Sequence, residues 1–124
     1  MAVQSLSSIP IKIIFKSGTV SAELTRISAP KTVHAVATNL PLEGPAVFTE
    51  DQTYFKVDLK LGPEKPKREV KAGTIGYWPL GDAICIYLKD SRPYSPVNKI
   101  GRTLSDPSCL TNREAGSIIR VERN

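Results

Sequence analysis

The residues able to do chemistry gather in two stretches. QTYFKVDL holds Tyr54 and Lys56, and GYWPLGDAICIYL holds Tyr77, Trp78, Pro79 and Tyr87. Two positions apart in an extended chain, Tyr54 and Lys56 project from one face. An aromatic pair beside a proline makes an apolar platform, and each tyrosine adds a polar tip. A lysine on the same face can donate to a ligand carbonyl, although it lacks the planar fork of arginine. These six residues form the candidate ligand-binding set, and Lys56 is the one candidate for catalysis. Trp78 has two readings. It is either the wall of a ligand pocket or an end plug whose indole N–H bonds a loop carbonyl.

The other reactive residues are more isolated. His34 is the lone histidine and lies in a helical pattern. A catalytic histidine needs a nucleophile or an orienting carboxylate beside it, and none is evident, so an exposed or capping helix position is expected. Glu50 and Asp51 precede a strand and suit a turn as well as a polar ligand. Arg92 and Tyr94, in KDSRPYSP, either gate a pocket or belong to an ordinary loop. Cys85, inside AICIYL, reads as a small buried hydrophobe. It forms no CxxC pair with Cys109, and a disulfide between them would need the fold to bring them together. Two cysteines and one histidine at unrelated spacing fall short of a zinc site. No G-x-S-x-G, P-loop or dinucleotide fingerprint occurs, which argues against a conventional hydrolase or nucleotide enzyme. No metal and no cofactor are expected.

The elements that must position these residues are mostly strands. IKIIFK (11–16) and TVSAEL (19–24) alternate and flank Ser17-Gly18, which predicts a hairpin. Ser28 as N-cap and Pro30 in the first turn open a helix over 30–40. Its apolar face is Val33, Val36, Ala37 and Leu40, and it should plug one end of a β structure. AVFTE (46–50) and TYFKVDL (53–59) follow as strands, with Phe55, Val57 and Leu59 on one face. GPEKPK is a loop, because two prolines and a glycine forbid a central strand. TIGYWPLGDAICIYL (74–88) reads as a strand broken at Pro79 and Gly81 and resumed as an apolar one. KIGRTL (99–104) and SIIRVE (117–122) are the last strands, with a helical turn opened by Asp106-Pro107 between them. Residues 1–9 read as a flexible leader and 10–124 as one domain. About eight short antiparallel strands with one or two capping helices predict a mainly β, closed barrel.

Several strings also resemble a known family. VSAELTRISAPKTVHAVATNL resembles the N-terminal signature of cyclophilins, in which a strand ending in Glu-Leu precedes a Pro-Lys-Thr that opens the first helix. Here those residues are Glu23-Leu24 and Pro30-Lys31-Thr32. Gly76-Tyr77-Trp78-Pro79, Gly81, Ala83 and Cys85 resemble the single-domain cyclophilin-like proteins of archaea and thermophilic bacteria. The resemblance runs from about residue 10 to near the end. It implies an eight-stranded barrel capped by helices and a groove that binds an extended peptide. It does not carry prolyl isomerase activity with it. The strand of the cyclophilin arginine resembles TYFKVDL, where that position falls on Lys56 or Val57, and Ala83-Ile84-Cys85 replaces the Gln-Phe-Phe strand. Some subunits of amidohydrolase assemblies also carry such domains, so an accessory role in one is a further implication.

The charge balance is modest. Seventeen Lys and Arg face twelve Asp and Glu, a formal charge of +5. The densest basic run, KVDLKLGPEKPKREVK, interleaves acidic residues and holds no aromatics for base stacking. It reads as a solvated hairpin, and no specific nucleic acid is expected. No apolar run is long enough to span a membrane, and MAVQSLSSIP has no signal-peptide pattern, so a cytoplasmic protein is expected. The chain alone fits either a monomer or a homodimer. The sequence thus predicts a barrel that binds a peptide or small polar ligand, or else a weak prolyl isomerase.

Overall fold

The computed structural model describes residues 8–111 and 117–124. The elements in chain order are β1 (Ser8–Phe15), β2 (Gly18–Thr25), α1 (Pro30–Thr38), β3 (Leu42–Pro45), β4 (Val47–Phe48), β5 (Gln52–Lys56), β6 (Thr74–Trp78), β7 (Ala83–Tyr87), β8 (Asn98–Thr103), a 3-10 turn (Pro107–Thr111) and β9 (Ile118–Arg123). The strands make one antiparallel sheet in the order β3-β9-β1-β2-β8-β6-β7-β5-β4. Its ends meet by contact, with Gly44 of β3 lying against Phe55 and the Lys56 carbonyl of β5. The result is a nearly closed, mainly β barrel with one α-helix. Among the described residues no helix is long and apolar enough to cross a membrane.

Alternation decides which side chains fill the barrel. Ile11, Ile13 and Phe15 of β1 face Val20, Ala22 and Leu24 of β2 inside it. Phe55, Ile75, Ile84, Ile86 and Ile100 complete the interior from the other strands. Helix α1 closes one end with Val33, Val36 and Ala37, as its spacing requires. His34 is exposed on its opposite side.

Besides a helix that ends at Thr38 rather than at 40 and a 46–50 strand that shrinks to Val47–Phe48, four details differ from the sequence reading. Ser8 and Ile9, expected in the leader, belong to β1, because Ile9 pairs with Leu24 and is buried. The rest of that leader, residues 1–7, lies outside the described residues. Strand β3 is additional; Leu-Glu-Gly-Pro has no alternation to betray it, and it is tolerated because Pro45 lies at a sheet edge. Strand β5 stops at Lys56 rather than at residue 59, since Asp58 takes a left-handed backbone (φ 57°) and the Val57 N–H bonds the Asp82 carbonyl at 3.0 Å. Val57 and Leu59 still pack against the core.

The fourth difference is the cap of α1. Ala29, not Ser28, holds the N-cap position, and it offers no side-chain bond. Glu64, from the loop after β5, supplies the acceptors instead. Its carboxylate takes the Lys31 N–H at 3.0 Å, and the Thr32 N–H and hydroxyl at 2.8 Å each. The fully buried Asn98 of β8 locks this arrangement. Its amide donates to Thr32 Oγ1 and the Gly62 carbonyl at 3.0 Å, and its oxygen accepts the Glu64 N–H at 2.8 Å. One polar knot therefore ties helix, loop and sheet together.

Desolvation acts to raise the Glu64 pKa, but these hydrogen bonds outweigh it and hold the carboxyl below its ordinary 4.5. A depressed folded pKa contributes stability above the unfolded value, and that contribution fades as pH falls through the folded one. Stability should therefore drop below about pH 4.5. The drop should be shallower in Glu64→Gln, as urea midpoints measured from pH 7 to pH 3 would show. Identical acid limbs in both proteins would contradict the cap.

Candidate functional site

The outer face of the sheet is not uniformly polar. Where β5, β7 and β6 run side by side, Tyr54 pairs with Cys85 and Cys85 with Gly76, while Trp78 pairs with Ala83. These residues point away from the barrel interior. With Tyr87, Val70 and Val97 they form a second, smaller apolar cluster outside it. The 89–97 segment crosses this face as a strap. It is pinned by backbone pairs between Ser91 and Val70 and between Val97 and Lys67.

Between sheet and strap lies a pocket of about 210 Å³, lined by Gln52, Tyr54, Trp78, Cys85, Tyr87 and Val97 with a rim of Thr49, Pro93, Tyr94 and Ser95. Tyr54 and Trp78 meet edge to face, with ring centroids 5.9 Å apart and planes at 83°. The Trp78 indole N–H donates to Ser95 Oγ at 2.5 Å, so the strap fixes the ring. Behind the ring lies Gly81, where a Cβ would overlap the benzo carbons. Trp78 is partly buried, not the fully buried plug of the alternative reading.

The floor of the pocket is neutral. Burial pushes the Cys85 thiol up to about 12, only partly offset by its contact with the Tyr87 hydroxyl. Burial raises Tyr87 further still. Neither ionises near neutral pH, so Cys85 is a free but unreactive thiol. The Cys109 side chain lies outside the described ones. Among the described residues no charged one lines the pocket.

Of the candidate residues, Tyr54, Trp78 and Tyr87 come together here and the other three do not. Tyr77 is fully buried inside the barrel, because neighbours in a strand face opposite ways. Its hydroxyl donates to Asp82 Oδ1 at 2.6 Å and accepts the Leu61 N–H at 3.0 Å. The same Asp82 oxygen accepts the Leu59 and Lys60 N–H groups, each at 3.0 Å, so the pair braces the loop after β5. Burial and the Asp82 carboxylate raise Tyr77 to about 12. Lys56 is exposed on the outer face, one outward position beyond Tyr54, and does not line the pocket. Val57 packs against the core, so Lys56 is the outward cation of this strand. Pro79 lines a neighbouring apolar groove with Leu61, Pro63, Pro66, Leu80 and Pro96.

The remaining candidates are mostly engaged elsewhere. Arg92 pairs with Glu69 at 3.6 Å and Glu50 with Lys89 at 3.1 Å, both at the surface. The Asp51 carbonyl accepts the Leu88 N–H. Tyr94 stands at the pocket rim, 96% exposed. The basic run is an irregular loop rather than a hairpin, with exposed pairs such as Lys60–Asp58 and Lys71–Asp90. Among the described residues no cluster of His, Cys, Asp and Glu could hold a metal. Thr49, Gln52 and the strap residues Pro93, Ser95 and Val97 are lining members that sequence reasoning passed over, whereas Tyr94 was weighed there as a gate. Gln52 was within reach, since it shares the parity of Tyr54.

The chain belongs to the Cyclophilin-like family, whose model matches residues 9–122. Among solved structures it resembles the hypothetical protein AF2241 from Archaeoglobus fulgidus, at 31% identity and TM-score 0.82 over 100% of both chains. A second similar structure is McbB in complex with tryptophan, at 20% identity and TM-score 0.72 over 92% of this chain and 44% of that one. That likeness concerns the fold. No protein of curated function matches the chain.

Proposed function

We propose that this barrel is a binding module whose outer pocket holds a ring-bearing side chain of a peptide, or a small polar ligand. The observation that carries this reading is the uncharged slot walled by Tyr54, Trp78 and Tyr87, with Trp78 fixed from two sides. At about 210 Å³ it is smaller than the ~300–1,000 Å³ of sites for drug-sized ligands. That size suits one ring or one side chain. McbB, a protein of this fold, was solved with tryptophan, so free tryptophan belongs among the probes beside proline-containing peptides. Trp78 is the only tryptophan, so its emission reports directly on the site for the proline-containing peptides, while free tryptophan, itself fluorescent, is followed by calorimetry. A saturable change with one of these probes, abolished in Tyr54→Ala, is expected. Emission that ignores every peptide, together with no heat of binding for free tryptophan, would overturn the proposal.

The rival reading, a weak prolyl isomerase, draws on Lys56, which stands outward on the same face as Tyr54. Because Lys56 lies off the pocket lining, catalysis should be slight. Uncatalysed isomerisation takes tens to hundreds of seconds, so a protease-coupled assay would detect even a modest catalyst. The expected rate stays near background. Strong turnover that vanishes in Lys56→Ala would favour the enzyme.

A further inference from the structure

Gln52 is out of balance with its surroundings. Its backbone is fully used in a turn with Thr49: the N–H donates to Thr49 Oγ1 at 3.1 Å, and the carbonyl accepts from the Thr49 N–H at 2.8 Å and its hydroxyl at 3.1 Å. Its side chain lines the pocket, yet among the described residues Oε1 is a buried oxygen with no hydrogen-bond partner. Buried polar groups are nearly always satisfied, and an orphan acceptor calls for a donor from somewhere. The lining offers little. The Thr49 hydroxyl is held by Gln52's own backbone, and among the described residues none of the lining hydroxyls, those of Tyr54, Tyr87, Tyr94 and Ser95, reaches Oε1. As placed, Oε1 is shielded from solvent; rotation of the Gln52 amide about its last torsion, a broad and soft one, exchanges the places of its oxygen and nitrogen.

Resting on the reading of this pocket as a binding site, we infer that Gln52 is its polar anchor and that the preferred occupant is a neutral, flat ring bearing a carboxamide. The ring lies against Tyr54, Trp78 and Tyr87, and an amide N–H supplies the donor that Oε1 lacks. An anion is disfavoured, because the lining holds no cation and a charge taken from water without a partner is expensive. The carboxamide is a small molecule or the side chain of a peptide; the shared chemistry is the planar N–H donor.

Three probes of nearly one shape separate the parts of this claim: benzamide, acetophenone with a methyl in place of the amide nitrogen, and benzoate. Their affinities are read by NMR, including the side-chain amide signals of Gln52. Benzamide is expected to bind about 3- to 10-fold tighter than acetophenone, the range of one neutral hydrogen bond. Benzoate should bind at least about tenfold more weakly than benzamide. In Gln52→Leu, which keeps the backbone turn, benzamide should fall to the level of acetophenone while the melting temperature holds or rises. Equal affinities for benzamide and acetophenone in the unaltered protein would overturn the inference, as would an undiminished benzamide preference in Gln52→Leu. If all three rings fail while proline peptides still bind, the carboxamide assignment falls and the pocket stands. If rings, peptides and tryptophan all fail, both fall.

Discussion

A Gly101→Ala variant is expected to lose most of its stability, because one methyl group would be placed inside another strand's backbone. Gly101 lies on β8 opposite Leu24 of β2. A Cβ there would overlap the Glu23 carbonyl oxygen and press on the Leu24 Cα at 3.1 Å. Neither atom belongs to a side chain that could turn aside. The strands must separate, and this pairing is the join between β3-β9-β1-β2 and the remaining five strands. A loss above about 4 kcal/mol is expected, in the rare upper tail for single substitutions. That is a large share of the ~5–15 kcal/mol a domain possesses. Urea unfolding would measure it. Gly62→Ala is the matched control, since a Cβ at Gly62 meets nothing within 4 Å. A Gly101→Ala midpoint as close to the parent as that of Gly62→Ala would show the join to be pliable.

Gly81→Ala should have the opposite profile, a large effect on binding and a small one on the fold. The atoms a Cβ would strike are those of the Trp78 ring. A side chain can swing away where a strand cannot. Overpacking of this kind costs about 1–3 kcal/mol. The displaced ring would leave Tyr54 and release Ser95, so the pocket loses a wall and the strap loses its pin. Affinity for whichever probe the parent binds should fall at least tenfold, roughly the loss of a well-placed aromatic contact. Tryptophan emission should move to the red as the indole meets water. Unchanged emission and affinity would mean that the turn adjusts around the methyl and that Gly81 does not hold the ring.

These contrasts indicate what the sequence could disclose. The first hairpin, the helix and the inward residues were legible because each rests on a local period of two or of 3.6. The outward set of Tyr54, Trp78 and Tyr87 was legible for the same reason. Treating Tyr77 and Trp78 as one platform conflicted with that period, and Tyr77 went inside. Glu64 capping a helix 32 positions upstream has no local signature, because a distant loop supplies the acceptor. The same holds for Ser95, which reaches Trp78 across 17 positions. The pocket's walls were written in the strands, whereas its lid and pins depended on where the loops came to rest.

The rims of the sheet bear on how a partner can be taken up at all. At one end β3 is four residues long and closes on Pro45, which has no N–H to offer. At the other, β4 has two residues. Exposed edges of this length give little purchase for an added strand, whether from a ligand or from another copy of the chain. Short edges of this kind also disfavour edge-to-edge association. If the barrel is the binding module proposed above, recognition would fall to side chains on its flank, and selectivity would follow the shape and polarity of single residues instead of the general appetite of a bare backbone.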